Sequence, residues 1–427
     1  MIASSLFGSI VLLAQPGLLP SPPAVARFEF QETGAAQVDD AAEPRLLDVP
    51  LEGYQQRLLD MAFVSSSVLP HRPHIKNKAR FQEEVLDEFI EMGQLASAYA
   101  RLESVPNWRR GALNGRLAVA CLKRGVEVDV TPWLEEAEAI AKGKLGDLGQ
   151  DWRRDSILVE VAHARALMGR ASAFDELDGR VDPAQRTQLE LVRASLLEKD
   201  DLEQHVEFLE GLMAGGQGQF EDVQAGMEAT AELLMRFYDD SKVRERLIKA
   251  VKTSWTKMPI GIQLEMHVRL GRAAAAAGDL EMARYWADAS EEFISLYKWL
   301  EQDRVSAASD VAVLRFESGA EAAGIALADE ALAFYRENRT KVTDMYRGDG
   351  LRPLAEAYAE MGQLDLARSV YAQALAEALV NPNTRPRCHD LARALSSMAK
   401  YRVEPSEELW AQIEKAYVAI GAPDHEG

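Results

Sequence analysis

The chain has 427 residues, with 68 acidic against 48 basic side chains and a formal net charge of −20. This excess of negative charge argues against a general nucleic-acid binder, because such proteins need surplus Lys and Arg to displace counterions from phosphates. Alanine, leucine and glutamate dominate and strand-forming runs are scarce, which predicts a soluble all-helical protein. Only Cys121 and Cys388 are present, so neither a disulfide framework nor a thiolate metal site is expected.

Residues 1–26 have the layout of a secretory signal peptide. An apolar run of nine residues, 6–14, is followed by prolines and by a small-x-small pattern at residues 24–26. We therefore predict export to the periplasm or the cell exterior, with no stable membrane insertion once the leader is removed. No Lys or Arg precedes the apolar run, so a misassigned start, and with it a cytoplasmic protein, is the alternative. Residues 27–50 predict a flexible acidic linker, and residues 422–427 a disordered tail.

From residue 51 to residue 421 the helical periodicity hardly stops. Residues 51–66 predict a lead-in helix, and turn residues then mark successive helix pairs. These turn residues are Gly93, Gly125, Gly169, Asp200, Asp239, Gly278, Gly319 and Gly362. A final pair, 386–400 and 406–420, brings the prediction to about nine pairs.

The clearest pair spans residues 351–381. It presents a hydrophobe, an aromatic, Gly, Ala, an aromatic and Ala in that order, at Leu354, Tyr358, Gly362, Ala367, Tyr371 and Ala374. This order resembles the tetratricopeptide repeat (TPR). The resemblance implies antiparallel helix pairs stacked into an α-solenoid, with peptide binding in a concave groove lined by the first helices. We expect an all-α superhelix that stays open, like a ribbon.

Other pairs match this pattern to different degrees. The Gly and Ala positions recur at Gly93 with Ala98 and at Gly278 with Ala283, while Gly319 is followed by Gly324 at the same offset. Val130 and Phe174 occupy the small-residue position after Gly125 and Gly169. A larger side chain there predicts that these two pairs are splayed further apart.

A second internal repeat relates residues 107–125 to residues 151–169 at an offset of 44. Each copy begins with Asn or Asp, then Trp-Arg-Arg, and we expect Asn107 and Asp151 to cap their helices. The loops at 71–80, 340–352 and 381–390 are also basic. Because every first helix runs the same way in an antiparallel stack, we expect these segments to form a basic rim.

This rim could bind carboxylates, phosphates or an acidic peptide, since the planar guanidinium of Arg pairs with both anions. The candidate partner-binding residues are Lys76, Lys78, Arg80, Trp108, Arg109, Arg110, Trp152, Arg153, Arg154, Arg385 and Arg387. The alternative is structural. In that case Arg109 and Arg153 pair with acids of the neighbouring repeat, and Trp108 and Trp152 only pack between helices.

Enzyme signatures are absent from the sequence: we find no Walker loop, dinucleotide-binding fingerprint, nucleophile elbow or HExxH motif. His71 and His74 are too few ligands for a metal site.

We therefore expect a non-catalytic interaction scaffold for a protein or peptide, with no cofactor, no metal and no nucleic-acid partner. The alternative is a helical-toroid hydrolase or lyase with a carboxylate-based site, which a closed ring with two buried carboxylates facing a pocket would favour. The sequence does not determine the oligomeric state.

Overall fold

The computed structural model describes residues 46–146, 148–177, 180–214 and 220–422. Over these residues it contains eighteen α-helices and no strand beyond one isolated bridge, which confirms the all-α prediction. None of the helices in these ranges is both long enough and apolar enough to cross a bilayer. The predicted leader, most of the predicted linker and all but the first residue of the predicted tail lie outside the described residues.

Nine of the helices are the first members of pairs. They are α2 (His71–Glu91), α4 (Arg109–Lys123), α6 (Asp151–Leu167), α7 (Pro183–Leu196), α9 (Phe220–Phe237), α11 (Ile260–Ala276), α13 (Glu301–Glu317), α15 (Arg347–Glu360) and α17 (Thr384–Lys400). Eight are second members: α3 (Leu95–Leu102), α5 (Thr131–Ala141), α8 (Leu202–Ala214), α10 (Ser241–Ser254), α12 (Leu280–Leu296), α14 (Glu321–Asn338), α16 (Leu364–Val380) and α18 (Glu407–Ala419). The lead-in helix α1 is Gly53–Ser67.

The predicted pairs match these helices with one exception. After α6 a single 3-10 turn, Ala171–Ala173, occupies the place of a second helix. Residues 168–182 separate α6 from α7, and the described part of this stretch forms no second α-helix. The expected second helix around Phe174 is therefore wrong, although the Phe174 side chain is buried as a core residue.

The pair α15–α16 shows why the sequence pattern folds in this way. Gly362 ends α15 with a φ of +74°, a left-handed conformation that glycine adopts without steric cost. Leu354, Tyr358 and Tyr371 are fully buried, so the predicted apolar stripes form the core. The Tyr358 hydroxyl donates to Asp329 of the preceding pair over 2.6 Å, which satisfies its polar tip.

Neighbouring first helices run in the same direction. Gln302 in the first turn of α13 faces Gly350 in the first turn of α15. Asp349 of α15 accepts a hydrogen bond from Arg393 of α17 over 2.6 Å. Gly115 in α4 packs against Glu160 in α6 so closely that a Cβ atom would lie 2.5 Å from the Glu160 Cβ. The starts of the first helices therefore lie at the same end of the array.

The series of first helices also closes on itself, because α1 and α2 pack against α17. The Gln55 side chain donates to the Ala399 carbonyl over 2.8 Å, and the Lys400 ammonium lies 2.8 Å from Glu91. The Phe81 and His389 rings stack with centroids 4.2 Å apart. We call this contact the seam. The expectation of an open ribbon is wrong, because each stacked pair adds a small rotation and the pairs present here complete a full turn.

Residues 46–50, predicted as the end of a flexible linker, lie against the turn between α2 and α3. The Asp48 carboxylate accepts hydrogen bonds from the amides of Ala96 and Ser97 over 2.8 and 3.1 Å. These are free amides in the first turn of α3, so Asp48 caps that helix from a distant part of the sequence.

Candidate functional site

A cleft of about 520 Å³ lies at the seam, between the starts of α2 and α17. Leu69 and Pro70 form an apolar wall on the α2 side. His74 and the residues 383–385, Asn-Thr-Arg, supply polar groups. Two basic segments that are far apart in the sequence, 71–80 and 381–390, therefore meet here.

The cations around this cleft have no acidic partners among the described residues. Arg385 lines the cleft, and Arg72, Lys76 and Lys78 belong to the same helix start as His74. Neither α2 nor α17 has an acidic residue in its first turn, so the positive ends of both helix dipoles are uncompensated there. Burial lowers the pKa of Lys78, because its ammonium is partly removed from water. This end of the seam is electropositive in a strongly acidic protein.

Two other predicted residues of these segments are held by the fold. Arg80 lies 3.7 Å from Glu84 on the next turn and stacks over the Phe81 ring. Arg387 donates to the Asn381 carbonyl over 3.1 Å and to the Thr384 hydroxyl over 3.1 Å. Both side chains are therefore engaged by residues of their own segments.

The predicted arginines at the start of α4 are also paired. The Arg109 Nε donates to Glu83 of α2 over 2.6 Å, and its guanidinium lies 4.5 Å from the centre of the Trp108 ring. Arg110 lies 3.3 Å from Glu136 of α5. These contacts join neighbouring helices, as the structural alternative expects.

The matching segment at the start of α6 behaves in a similar way. Arg154 lies 2.9 Å from Asp155, and Arg153 donates to the Leu148 carbonyl and stacks on Trp152. Trp152 meets Trp108 edge to face, with ring centroids 5.2 Å apart. The two copies of the Trp-Arg-Arg repeat therefore interlock.

The predicted caps of these two helices differ. The Asn107 side chain accepts a hydrogen bond from the Arg109 amide over 3.1 Å, as expected of a capping residue. Asp151 is instead the first residue of α6, and its carboxylate lies 3.4 Å from Arg154. The prediction that Asp151 caps α6 is wrong, because Gln150 precedes the first turn in its place.

The interior faces of the first helices carry a network of paired charges. Arg116 of α4 contacts Glu83 and Asp87 of α2 and Glu160 of α6. Burial raises the pKa of Asp87, although Arg116 opposes the shift. Arg272 of α11 reaches past α13 to Glu360 of α15, over 2.7 Å. The concave face, where the resemblance places a peptide groove, is thus lined by side chains that bind one another.

At the seam this network includes Glu84, whose carboxylate lies 2.6 Å from His389 Nε2. Burial alone would raise the pKa of Glu84, but His389, Arg393 and Arg80 together lower it to about 2. Glu84 is therefore ionised at all physiological pH values. It holds α17 against α2 directly below the cleft.

Asp390 is the buried carboxyl with the clearest expected pH dependence. It is 6% exposed, its Oδ2 has no hydrogen-bond partner, and burial together with the nearby Asp349 raises its pKa to about 8. Since an unfolded Asp titrates near ~4, ionisation of Asp390 costs stability as pH rises from about 4 through 8. We expect Asp390→Asn to be as stable as the wild type at pH ~3, where Asp390 is protonated in both states, and more stable at pH ~9.

Thermal melting followed by circular dichroism between these pH values checks this prediction. Asp365→Asn is the matched control, because the Asp365 side chain is 96% exposed. It should melt in parallel with the wild type throughout. A gain for Asp390→Asn that does not vary with pH would contradict the titration of Asp390.

Most of this arrangement has no counterpart in local sequence patterns. No motif includes His389, and nothing in the sequence indicates that Phe81 and His389, 308 positions apart, stack on each other. In the described ranges no three His, Cys, Asp or Glu side chains are placed to hold a metal ion. No protein-family model matches the chain. No curated protein was found to be similar to it either.

Proposed function

We propose that the protein is a non-catalytic binding scaffold that holds an acidic segment of a protein partner in the seam cleft. The observation that carries the proposal is the contrast among the predicted cations. The cations of α4 pair with glutamates of neighbouring helices, and Arg154 of α6 pairs with Asp155 of its own helix. In contrast, Lys76, Lys78 and Arg385 have no carboxylate partner in the described residues. Charged side chains that the fold does not neutralise are available for a ligand.

The dimensions and lining of the cleft support the same class of ligand. A volume of about 520 Å³ lies within the range of sites that bury a small ligand or a short peptide segment. The apolar wall at Leu69 and Pro70 suits an aliphatic side chain, and Arg385 opposite it suits a carboxylate. The TPR resemblance adds support, since peptide binding is what that family implies, although here the ligand would lie at the seam rather than in the concave groove.

The test uses a fluorescent glutamate-rich peptide and its glutamine counterpart, with affinity measured by anisotropy at low and high salt. We expect the glutamate peptide alone to bind, and Lys76→Glu with Arg385→Glu to weaken it by about tenfold or more, the equivalent of ~1.4 kcal/mol. Both side chains are exposed, so the fold should tolerate the change.

The control is Lys142→Glu with Lys415→Glu, which alters the net charge equally at exposed lysines elsewhere. This variant should retain the affinity of the wild type to within about twofold, because screening at physiological salt confines electrostatic effects to ~8 Å. Equal weakening in both variants, or equal binding of the glutamine peptide, would refute the seam cleft as the site.

The hydrolase or lyase alternative has one observation in its favour, the closure of the array. Asp310 of α13 is an exposed residue, but desolvation by the surrounding protein raises its pKa to about 7 against the effect of Arg272, and such a group is suited to proton transfer. However, neither Asp310 nor Glu360 lines the seam cleft or the smaller cleft beside α7. The binding function is therefore better supported.

A further inference from the structure

Four consecutive loops at the end of the array where the first helices begin form one continuous surface. Gln302 faces Gly350, and the Asn381 side chain donates to the Asp344 carbonyl over 3.3 Å. The seam cleft then joins residues 383–385 to Leu69 and Pro70. We call the surface formed by residues 296–302, 344–350, 380–387 and 69–78 the seam arc.

Large apolar side chains are exposed along three of these loops. Leu296 is 69% exposed, and Leu300 and Val380 are each 61% exposed. Tyr297, Met345 and Tyr346 are exposed as well. These six are among seventeen exposed large hydrophobic residues in the described part of the chain, so about a third of those residues lie in three segments of the seam arc. Such a concentration indicates a surface that is covered in use.

The seam arc is also electropositive. Five of its cations have no carboxylate partner in the described residues: Arg72, Lys76, Lys78, Lys298 and Arg385. Its acidic residues are Glu301, Asp344 and Asp349, and Asp349 is held by Arg352 and Arg393. A partner complementary to this charge is anionic.

We propose that the seam arc seats the protein on the surface of an anionic lipid membrane. The exposed apolar side chains lie in three separate segments, at or beside helix ends, and all three segments lie at the same end of the array. Leu and Tyr side chains enter the headgroup region of a bilayer, where their apolar surface is buried. The neighbouring Lys and Arg side chains then interact with acidic headgroups. Contact of this kind needs no membrane-spanning helix.

The proposal shares Lys76 and Arg385 with the seam cleft but depends on different apolar residues. The acidic peptide is expected to contact the cleft, whereas Leu296 ends α12 and Leu300 lies in the following loop, at the other end of the seam arc. The two functions can therefore be separated by substitution.

The test is co-sedimentation with vesicles of phosphatidylcholine alone and of phosphatidylcholine mixed with phosphatidylserine. We expect the wild-type chain to bind the anionic vesicles at least about tenfold more tightly, with binding that weakens as salt is added. Leu296→Asp with Leu300→Asp should reduce that binding by about tenfold or more, because two apolar contacts are lost and two negative charges face the lipid.

The control is Leu364→Asp with Leu366→Asp, which makes the same change at exposed leucines of α16 that lie at the far end of the array. It should bind vesicles as the wild type does. Three results would overturn the proposal: no binding of the wild type to anionic vesicles, equal loss in both variants, or a wild-type dimer that the Leu296 and Leu300 changes dissociate. If the Leu296→Asp, Leu300→Asp variant loses vesicle binding but still binds the glutamate peptide, the seam cleft is intact and only the membrane contact is lost.

Discussion

Replacement of Arg116 by methionine is expected to destabilise the protein by about 3–5 kcal/mol near neutral pH. Arg116 lies 3.3 Å from Glu83, 2.7 Å from Asp87 and 3.3 Å from Glu160, so it is the counterion of three carboxylates on two neighbouring helices. Methionine keeps much of the side-chain volume but leaves these carboxylates facing one another with little access to water.

The loss should depend on pH in a defined direction. Burial already raises the pKa values of Asp87 and Glu160, and removal of the guanidinium raises them further above the unfolded value of about 4. The penalty is complete above these raised folded pKa values and fades as pH falls towards ~4, where the carboxyls are protonated in both states. Urea unfolding followed by circular dichroism at pH ~8 and ~5 measures the difference.

Arg246→Met provides the matched control for this experiment. Arg246 of α10 also contacts two glutamates, Glu203 and Glu210 of α8, and its side chain is 27% exposed against 25% for Arg116. Its partners lie nearer the surface, so the control should cost about 1 kcal/mol or less. A similar cost for the two variants would show that the interior network is no more important than a surface ion pair.

The second large effect is expected from Gly324→Ala. A Cβ atom on Gly324 would lie 2.6 Å from the Ala312 carbonyl oxygen and 2.8 Å from the Phe316 amide nitrogen. Both atoms belong to the backbone of α13, which cannot move aside like a flexible side chain. We therefore expect alanine to force α14 away from α13 and to lower the free energy of unfolding by about 1–3 kcal/mol. Gly324→Leu should lower it further.

Gly211→Ala is the control, since it makes the same change in the interior of α8. Nothing lies within 4 Å of the position that its Cβ would occupy. Alanine should stabilise α8 by about 0.5–1 kcal/mol, because it restricts the unfolded chain and favours the helix. Thermal melting of both variants gives the comparison, and a stabilised Gly324→Ala protein would contradict the close approach of α13 and α14.

Residue 324 shows how far a sequence pattern reaches. The offset from Gly319 marks a position where only a small side chain fits, and the structure explains why glycine rather than alanine stands there. In contrast, nothing in the sequence distinguishes Gly115 from other helical glycines, although α4 and α6 touch at that point. Close approach depends on how two helices cross, and one helix's sequence does not specify that angle.

The candidate site was only partly predictable for the same reason. The basic character of segments 71–80 and 381–390 is a property of composition, and the common direction of the first helices follows from the alternation of helix and turn. Which cations stay unpaired depends on the neighbours across each interface. Arg109 and Lys76 are equally basic in sequence, yet only Arg109 meets a glutamate of the adjoining helix.

The sequence by itself determined that the chain is all-helical, at which residues most helix pairs turn, and which faces of α15 and α16 are buried, because these follow from local periodicity and from glycine turns such as Gly362. Only the tertiary structure decided that the array closes, bringing His389 and Lys400 of the last pair onto Glu84 and Glu91 of the first. Closure depends on a small rotation at each interface that accumulates over the nine first helices, and no local segment of the sequence specifies the total rotation.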